Sequence, residues 1–374
     1  MSTKADDLGA PSQNGDAAAA RAGDIPQRRH TDDAAARAGD IVATGAVIGD
    51  DAAGEPAPAA VKGGGWGRIP ERGSLAWLRI MNAIYRTLGR RVCLYVLYPI
   101  AAYFTLFAGG ARRASHSYLT TLWNTEQGRA ALKEEPGLAA TFRHVHEFSI
   151  NIFDRMVAWG GGLGQIEFTH DGSEILFDHA ASGRGAILMG AHLGSFDMMR
   201  LLADKYTMTV NVLMFTRHAA RINTFFEQLD PHSRVRVLEV EPGSMRTAFL
   251  IKECIDRGEF VGILADRIHP GGRDRPVQLP FLGRAAYFSL TPFLLATLLG
   301  CPLIFTQCLR LDDATYESSA RLLGDGSHPR RGRARHAREL LEAYVAELEK
   351  SCYRAPYQWF NFFDYWGERG GGDA

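Results

Sequence analysis

The sequence predicts an α/β fold with a largely parallel central sheet flanked by helices. From about residue 165 onward, short apolar segments alternate with amphipathic helical patterns. Strands that are separated by helices need crossover connections, and such connections produce parallel pairing. We predict strands at residues 185–190, 209–215, 235–240, 260–265 and 302–311.

Helix boundary signals lie between these strands. Ser244 can cap a helix over residues 245–257, which Gly258 ends. The Thr-Pro pair at residues 291–292 opens a second helix that stops at Gly300. Proline suits the first helical turn and glycine the position after the last one, so both signals agree with helical connections between strands.

The composition is typical of a globular protein. The chain has 374 residues, 46% of them apolar, and its 42 basic residues balance its 42 acidic ones. These values exclude a fibrous protein and a disordered polyelectrolyte. The five cysteines are widely scattered and show no C-x-x-C pair, which disfavours a disulfide framework or a zinc ribbon and favours a reducing cytoplasmic setting.

The domain organisation follows from shifts in composition. Residues 1–65 contain no aromatic side chain and are rich in Ala, Gly, Asp and Pro, so they bury too little apolar surface to offset chain entropy. We predict a disordered low-complexity tail (1–65), a helical membrane-associating segment (66–165), an α/β core with a C-terminal helix and aromatic segment (166–366) and a flexible end (367–374).

Residues 92–111 form the most apolar stretch. They contain no charged side chain and lie between two pairs of arginines. A helix of this length, about 30 Å, matches the hydrocarbon core of a bilayer. Tyr95, Tyr98, Pro99 and Tyr103 interrupt it and suit a helix that lies in the membrane interface. A buried core helix of a soluble protein is the remaining alternative.

His192 is the strongest candidate for a catalytic base. It follows the apolar strand that ends at Gly190, and a helix begins near Ser195. Open α/β sheets bind ligands at the carboxyl ends of their strands, where helix starts aim N–H groups at negative charge. Asp197 could fix the tautomer of His192 if the turn folds the imidazole back, because five residues along a regular helix are about 140° apart. A plain helix start explains Ser195 and Asp197 equally well.

Three arginines fall at or just beyond predicted strand ends or at a helix start, namely Arg217, Arg246 and Arg267. A guanidinium group binds phosphate or carboxylate through paired hydrogen bonds. Each arginine alone is most simply a solvated surface charge, but the set at one sheet edge predicts an anion-binding role. Asp266 could hold one of these guanidinium groups or form a plain salt bridge.

Several ordered sequence blocks resemble one known family. His192 to Asp197 fits the H-x4-D signature of the glycerolipid acyltransferase superfamily, and the later blocks resemble its lipid A late acyltransferase branch. The resemblance extends from about Trp77 to Trp366, although Arg267 stands where the family has glutamine. The matching blocks are Phe215-Thr216-Arg217 with Asn223, Ser244-Met245-Arg246, Ala265-Asp266-Arg267, the five residues from Leu279 to Gly283, and Arg354 to Trp359 with Tyr365-Trp366.

The resemblance implies an O-acyltransferase at the cytoplasmic face of the inner membrane. Such an enzyme moves a fatty acyl group from acyl carrier protein to a hydroxyl of lipid A, the glycolipid of lipopolysaccharide, or of another membrane lipid. It implies His192 as the general base and Asp197 as its orienting partner. The substrate-binding residues that it implies are Arg217, Asn223, Arg246, Asp266 and Arg267.

The implied reaction starts from an activated thioester, so we expect no metal, no cofactor and no covalent enzyme intermediate. The tetrahedral oxyanion needs hydrogen-bond donors, for which the backbone N–H groups of Gly194 and Ser195, or Arg217, are candidates. A nucleophilic Ser195 is an alternative, but it lacks the G-x-S-x-G elbow. Candidates for a groove that holds the acyl tail are Phe281, Tyr287 and Phe288.

Two further segments have a distinctive composition. Residues 328–338 form a dense basic run ahead of a helix predicted at 339–349. The run could contact anionic lipid or an acidic carrier protein, or could be a solvated loop, and its lack of aromatic side chains disfavours nucleic acid as a partner. The aromatic cluster at residues 353–366 is too dense for ordinary surface, and we expect it to pack on the core rather than to border the bilayer.

Two other functions stay open at this point. An acyl-thioester hydrolase would use the same His/Asp pair to activate water. A non-catalytic membrane-anchored binding protein would need only the apolar segment and the basic patches.

Overall fold

A computed structural model of the chain describes residues 72–159, 166–214, 235–239, 245–268, 276–327 and 331–366. The predicted tail (1–65) and flexible end (367–374) lie outside the described residues. The helices are α1 (Arg72–Phe107), α2 (Gly109–Trp123), α3 (Glu126–Leu132), α4 (Leu138–Trp159), α5 (Glu174–Ala181), α6 (Phe196–Lys205), α7 (Met245–Asp256), α8 (Thr291–Leu299) and α9 (Arg333–Arg354). The strands are β1 (Glu167–Asp171), β2 (Ala186–Gly190), β3 (Val210–Met214), β4 (Val235–Glu239), β5 (Phe260–Leu264), β6 (Pro276–Phe281), β7 (Arg284–Ser289), β8 (Pro302–Arg310) and β9 (Thr315–Asp325).

The central sheet is largely parallel, as the sequence predicts. Within the described part of the chain its strand order is β1-β9-β8-β2-β5-β3-β4. Strands β2, β3, β4, β5 and β8 run in one direction and coincide with the five predicted segments. Every residue of β2 is buried, as expected for a central strand that is covered on both faces.

Four of the strands in the described residues were not predicted from the sequence. Strand β9 pairs antiparallel with β8, and β1 pairs with β9, so this side of the sheet runs opposite to the rest. The buried part of β9 includes Glu317, Ser318 and Ser319, so it lacks the apolar run by which the other strands were recognised. Strands β6 and β7 form a separate antiparallel hairpin.

The predicted helix ends between the strands are confirmed. Helix α7 ends at Asp256, just ahead of Gly258, and α8 ends at Leu299, directly before Gly300. Gly300 has φ 62°, and its N–H donates to the carbonyl of Ala296, which closes the last turn of α8.

The apolar N-terminal segment is a bent pair of helices. Helix α1 kinks at Gly89 (φ 79°), and the chain bends by 94° between Phe107 and Gly109. No single helix among the described residues is both long and apolar enough to cross a bilayer, although the bent pair meets that length and composition together. One face of α1, including Cys93 and Leu97, packs on α4.

Helix α9 runs across the sheet from the amino ends of the parallel strands to their carboxyl ends. It begins beyond the end of β9, where Asp325 pairs with the first residue of β8, and its 22 residues are about 33 Å long. It is longer than the predicted helix at 339–349. Its C-terminal end delivers Trp359, a fully buried side chain, to the carboxyl edge of the parallel strands.

Candidate active site

The turn that carries His192 connects β2 to α6. Gly194 in this turn has φ 67°, and a Cβ atom there would lie 2.1 Å from the carbonyl oxygen of Cys308. Only glycine fits such a close approach with a left-handed backbone. The tight turn therefore fixes His192 at the carboxyl edge of the sheet, as the sequence predicts.

The structure pairs His192 with Asp266. Strands β2 and β5 are adjacent, and Gly190 is opposite Leu264 in their register. His192 and Asp266 each follow these residues by two positions, so the pairing brings them together. The Nδ1 atom of His192 lies 2.8 Å from Oδ1 of Asp266, and the backbone N–H of His192 donates to Oδ2 at 3.0 Å.

The role predicted for Asp197 stays a prediction. Asp197 is the second residue of α6, and its side chain lies outside the described part of the structure. The hydrogen bond of an orienting carboxylate to Nδ1 is made by Asp266. The sequence assigned Asp266 to a guanidinium group or to the substrate, so the partner that the structure gives to His192 was not predicted.

Asp266 is fully buried, and its side chain accepts several hydrogen bonds. Besides His192, the indole Nε1 of Trp359 donates to Oδ2 at 3.1 Å, and Nδ2 of Asn361 donates to the same oxygen at 2.9 Å. The hydroxyl of Tyr365 donates to the backbone carbonyl of Asp266 at 2.9 Å. The aromatic cluster thus packs on the core, as expected, and also contacts the candidate site.

The electrostatics keep this pair as a carboxylate and a neutral imidazole. Burial works against ionisation of Asp266, but His192, Arg267 and Asn361 outweigh it and hold the pKa of Asp266 well below its usual range. Burial lowers the pKa of His192, although Asp266 opposes that shift. An ionised carboxylate only accepts hydrogen bonds, so Nδ1 carries the proton and Nε2 carries the lone pair of a base. The imidazole side chain is 30% exposed.

The predicted oxyanion donors in the turn are already occupied. The backbone N–H of Gly194 donates to the carbonyl of Gln358 at 2.9 Å, and that of Ser195 donates to the carbonyl of Cys308 at 2.8 Å. The expectation that these two groups stabilise an oxyanion is therefore wrong. The hydroxyl of Ser195 is buried without a hydrogen-bond partner among the described residues, which disfavours Ser195 as the nucleophile.

Of the other predicted substrate-binding residues, the structure describes Arg246 and Arg267. Arg217 and Asn223 lie outside the described residues. Arg246 is exposed near the start of α7. Arg267 is partly buried beside the site, where its Nε donates to Oδ1 of Asn361 at 2.7 Å and its guanidinium group lies over the ring of Phe363.

An apolar cavity adjoins the His192 turn. It has a volume of about 40 Å³ and lies between the sheet and α6. Residues on either side of His192 form part of its wall. Apolar side chains that line the cavity include Leu188, Leu193, Phe196, Met199 and Ile263.

The acyl-groove candidates from the sequence lie elsewhere. Phe281 and Phe288 are fully buried and contact each other and Tyr365 edge-on or at a tilt. They therefore belong to the core under the β6–β7 hairpin, and the expectation that they line a groove is wrong. Tyr287, the third candidate, is on the exposed side of the same hairpin.

The basic run is remote from this site. Residues 331–338 lie at and before the start of α9, at the edge of the sheet opposite to His192. Arg335 and Arg338 form ion pairs with Glu339 and Glu342 along the helix.

Within the described residues, no group of three His, Cys, Asp or Glu side chains is arranged to hold a metal ion.

The sequence matches the profile of a known protein family. No curated protein matches the sequence. The profile of the bacterial lipid A biosynthesis acyltransferase family matches residues 138–367, which include α4, the whole sheet, His192, Asp266 and Trp359. This match covers more than half of the sequence, so the chain belongs to the bacterial lipid A biosynthesis acyltransferase family.

Proposed function

We propose that the protein transfers a fatty acyl group from acyl carrier protein to a hydroxyl of a lipid A-like glycolipid or another membrane lipid. Family membership supports acyl transfer to a lipid A-like acceptor. The observation that carries the mechanism is the buried Asp266 carboxylate on Nδ1 of a partly exposed His192, beside an apolar cavity.

In this mechanism Nε2 of His192 removes the proton of the acceptor hydroxyl as its oxygen attacks the thioester carbonyl. Asp266 stabilises the imidazolium that forms, because its carboxylate is already ionised and bonded to Nδ1. The tetrahedral intermediate then collapses, the C–S bond breaks, and the imidazolium returns the proton to the thiolate of the donor. A positioned base of this kind contributes a factor on the order of 10²–10⁴ to the rate.

The acyl chain would enter the apolar cavity between the sheet and α6, which would have to widen, because a volume of about 40 Å³ is too small for a whole fatty acyl chain. Its walls include Ala191 and Leu193, the residues that flank His192, so the cavity adjoins the turn that carries the proposed base. The substrate-binding roles of Arg217, Asn223 and Arg246 remain part of the proposal and rest on the sequence motifs.

We place the protein at the cytoplasmic face of the inner membrane. The face of α1 that points away from α4 is apolar and exposed, with Tyr95 75% and Phe107 73% exposed. Exposed arginines, Arg91 and Arg113, flank it and suit anionic headgroups. Aromatic side chains next to basic ones are typical of helices that lie in a membrane interface.

The test is an acyl-transfer assay with purified protein, lauroyl acyl carrier protein and a lipid A precursor in detergent micelles. Mass spectrometry separates acylated lipid from free fatty acid. We expect acylated lipid from the wild type and a loss of at least 10²-fold in His192→Ala. The matched control His336→Ala changes a histidine at the opposite edge of the sheet and should keep wild-type activity.

Two outcomes would contradict the proposal. Release of free fatty acid without acylated lipid, lost in the His192 variant, would identify a thioester hydrolase instead. Absence of turnover with lauroyl, myristoyl and palmitoyl donors, in a protein that still binds membranes, would identify a binding protein.

A further inference from the structure

The segment after α9 is joined to the catalytic turn by backbone hydrogen bonds. The N–H of Phe360 donates to the carbonyl of His192 at 2.7 Å, and the N–H of Gly194 donates to the carbonyl of Gln358 at 2.9 Å. Leu193 and Trp359 form an antiparallel bridge between these two bonds. Residues 358–361 therefore act as a short strand along the turn, which we call the C-terminal strap.

The strap is also held from its other side. Nε2 of His144, a buried residue of α4, lies 3.0 Å from the carbonyl oxygen of Trp359, and Nδ1 of His144 lies 2.9 Å from the hydroxyl of Ser115 in α2. The indole of Trp359 packs edge-on against Tyr118 and Phe281. These contacts fix the position of the indole ring, whose Nε1 donates to Asp266.

The amide of Asn361 has a defined orientation. Its Oδ1 accepts the N–H of Arg267 Nε at 2.7 Å, which directs Nδ2 towards Oδ2 of Asp266 at 2.9 Å. Asn361 and Trp359 are both buried, so neither is placed to touch a substrate. Their polar groups face one carboxylate oxygen, and Nδ1 of His192 faces the other.

We propose that Trp359 and Asn361 are positioning residues, which hold the carboxylate of Asp266 in the rotamer that keeps the proton of His192 on Nδ1. This inference rests on the proposed function, in which His192 is the base. The two donors also take up part of the negative charge of Asp266, so they limit how strongly that charge attracts a proton to His192.

The sign of the expected pH effect follows from this charge sharing. Removing one donor leaves more negative charge on the carboxylate, which raises the pKa of His192. The base is then protonated at a higher pH, and the acidic limb of kcat/KM moves up. Other charged or titratable groups that face the pair are Arg267, Tyr344, Cys352 and Tyr365. Burial raises the pKa of both tyrosines and of Cys352, so Arg267 alone in this set is charged at neutral pH.

The test compares Trp359→Phe, which keeps an aromatic ring but loses the N–H donor, with Asn361→Leu, which removes the amide. Tyr316→Phe is the matched control, because it loses a buried hydrogen bond to the carboxylate of Asp154 without touching Asp266. The readouts are kcat, KM, the pH profile of kcat/KM, and the titration of the His192 Cε1 signal by ¹³C NMR, assigned with His192→Gln.

We expect each strap variant to lower kcat about tenfold, with KM unchanged, and to raise both the kinetic and the NMR pKa of His192. The control should change neither the pH profile nor the titration. Loss of kcat without a pKa change in both strap variants, or the same changes in Tyr316→Phe, would overturn the proposal. If one strap variant does not fold, the other decides the question.

The NMR titration also separates this inference from the proposed function. A wild type without acyl transfer, in which both strap variants still raise the pKa of His192, would refute the function and leave the positioning role intact. Active wild type with an unchanged His192 titration in the strap variants would refute only the positioning role.

Discussion

The strongest prediction concerns Asp266→Asn, which replaces a carboxylate by an amide of the same shape. Three N–H donors, from the backbone of His192, from Trp359 and from Asn361, face the Oδ2 position. One donor, Nδ1 of His192, faces the Oδ1 position. The single amide oxygen satisfies three donors at Oδ2 but only one at Oδ1.

The difference of two hydrogen bonds decides the orientation of the amide. At about 1–3 kcal/mol for each buried donor left unpaired, the oxygen prefers Oδ2 by about 2–6 kcal/mol. The NH₂ group then faces Nδ1 and forces the ring into the other tautomer, with the proton on Nε2. The base loses its lone pair at the reacting atom, and this preference alone lowers kcat by about 30-fold to 10⁴-fold.

The assay is the initial rate of lipid acylation over a range of acceptor concentrations, with thermal unfolding as the check on folding. We expect KM to stay close to the wild-type value, because Asp266 is buried and does not face the substrate. Asp197→Asn is measured alongside. More than a tenth of wild-type kcat in a folded Asp266→Asn variant, together with inactivity of Asp197→Asn, would show that the sequence-based pairing is right and the one drawn from the structure is wrong.

Two other predictions follow from the same structure. Replacing Tyr95, Tyr103 and Phe107 together by Ser should reduce sedimentation with anionic phospholipid vesicles at least tenfold, because each side chain loses about 1.5–3 kcal/mol of apolar transfer free energy. The control Phe249→Ser, which changes an exposed residue of α7, should not reduce it. Equal vesicle binding by the triple variant and the wild type would exclude the α1 face as the membrane contact. Burial lowers the pKa of His144 to about 4, below its unfolded value of 6.5, so its contribution to stability is lost as the pH falls through this window. His144→Gln should therefore remove about 2 kcal/mol of the wild-type loss of unfolding free energy between pH 7 and pH 5 in urea titrations, and an unchanged difference would refute the assignment.

The sequence located the catalytic turn because its signal is local. An apolar strand, a histidine and a helix start follow one another within about ten residues, and the five parallel strands are recognised by the same kind of run. Asp266 was noticed, but its pairing with His192 depends on β2 and β5 being neighbours in a register that aligns Gly190 with Leu264. No short-range pattern encodes that register.

The rest of the site depends on contacts between distant parts of the chain. The indole of Trp359 and the amide of Asn361 donate hydrogen bonds to a carboxylate more than 90 residues away in the sequence. The aromatic composition of residues 353–366 therefore indicated packing on the core but not these hydrogen bonds. The N–H groups of Gly194 and Ser195 look available in the sequence, yet carbonyls of Gln358 and Cys308 occupy them.

Mass spectrometry of total lipids can detect acyl transfer by His192 in cells that carry the wild-type protein, the His192→Ala variant or no copy of the gene. We expect one lipid class that is heavier by a single acyl residue with the wild type, and absent from the other two. Identical lipid spectra in all three, or the same heavier lipid with His192→Ala at equal protein level, would contradict it.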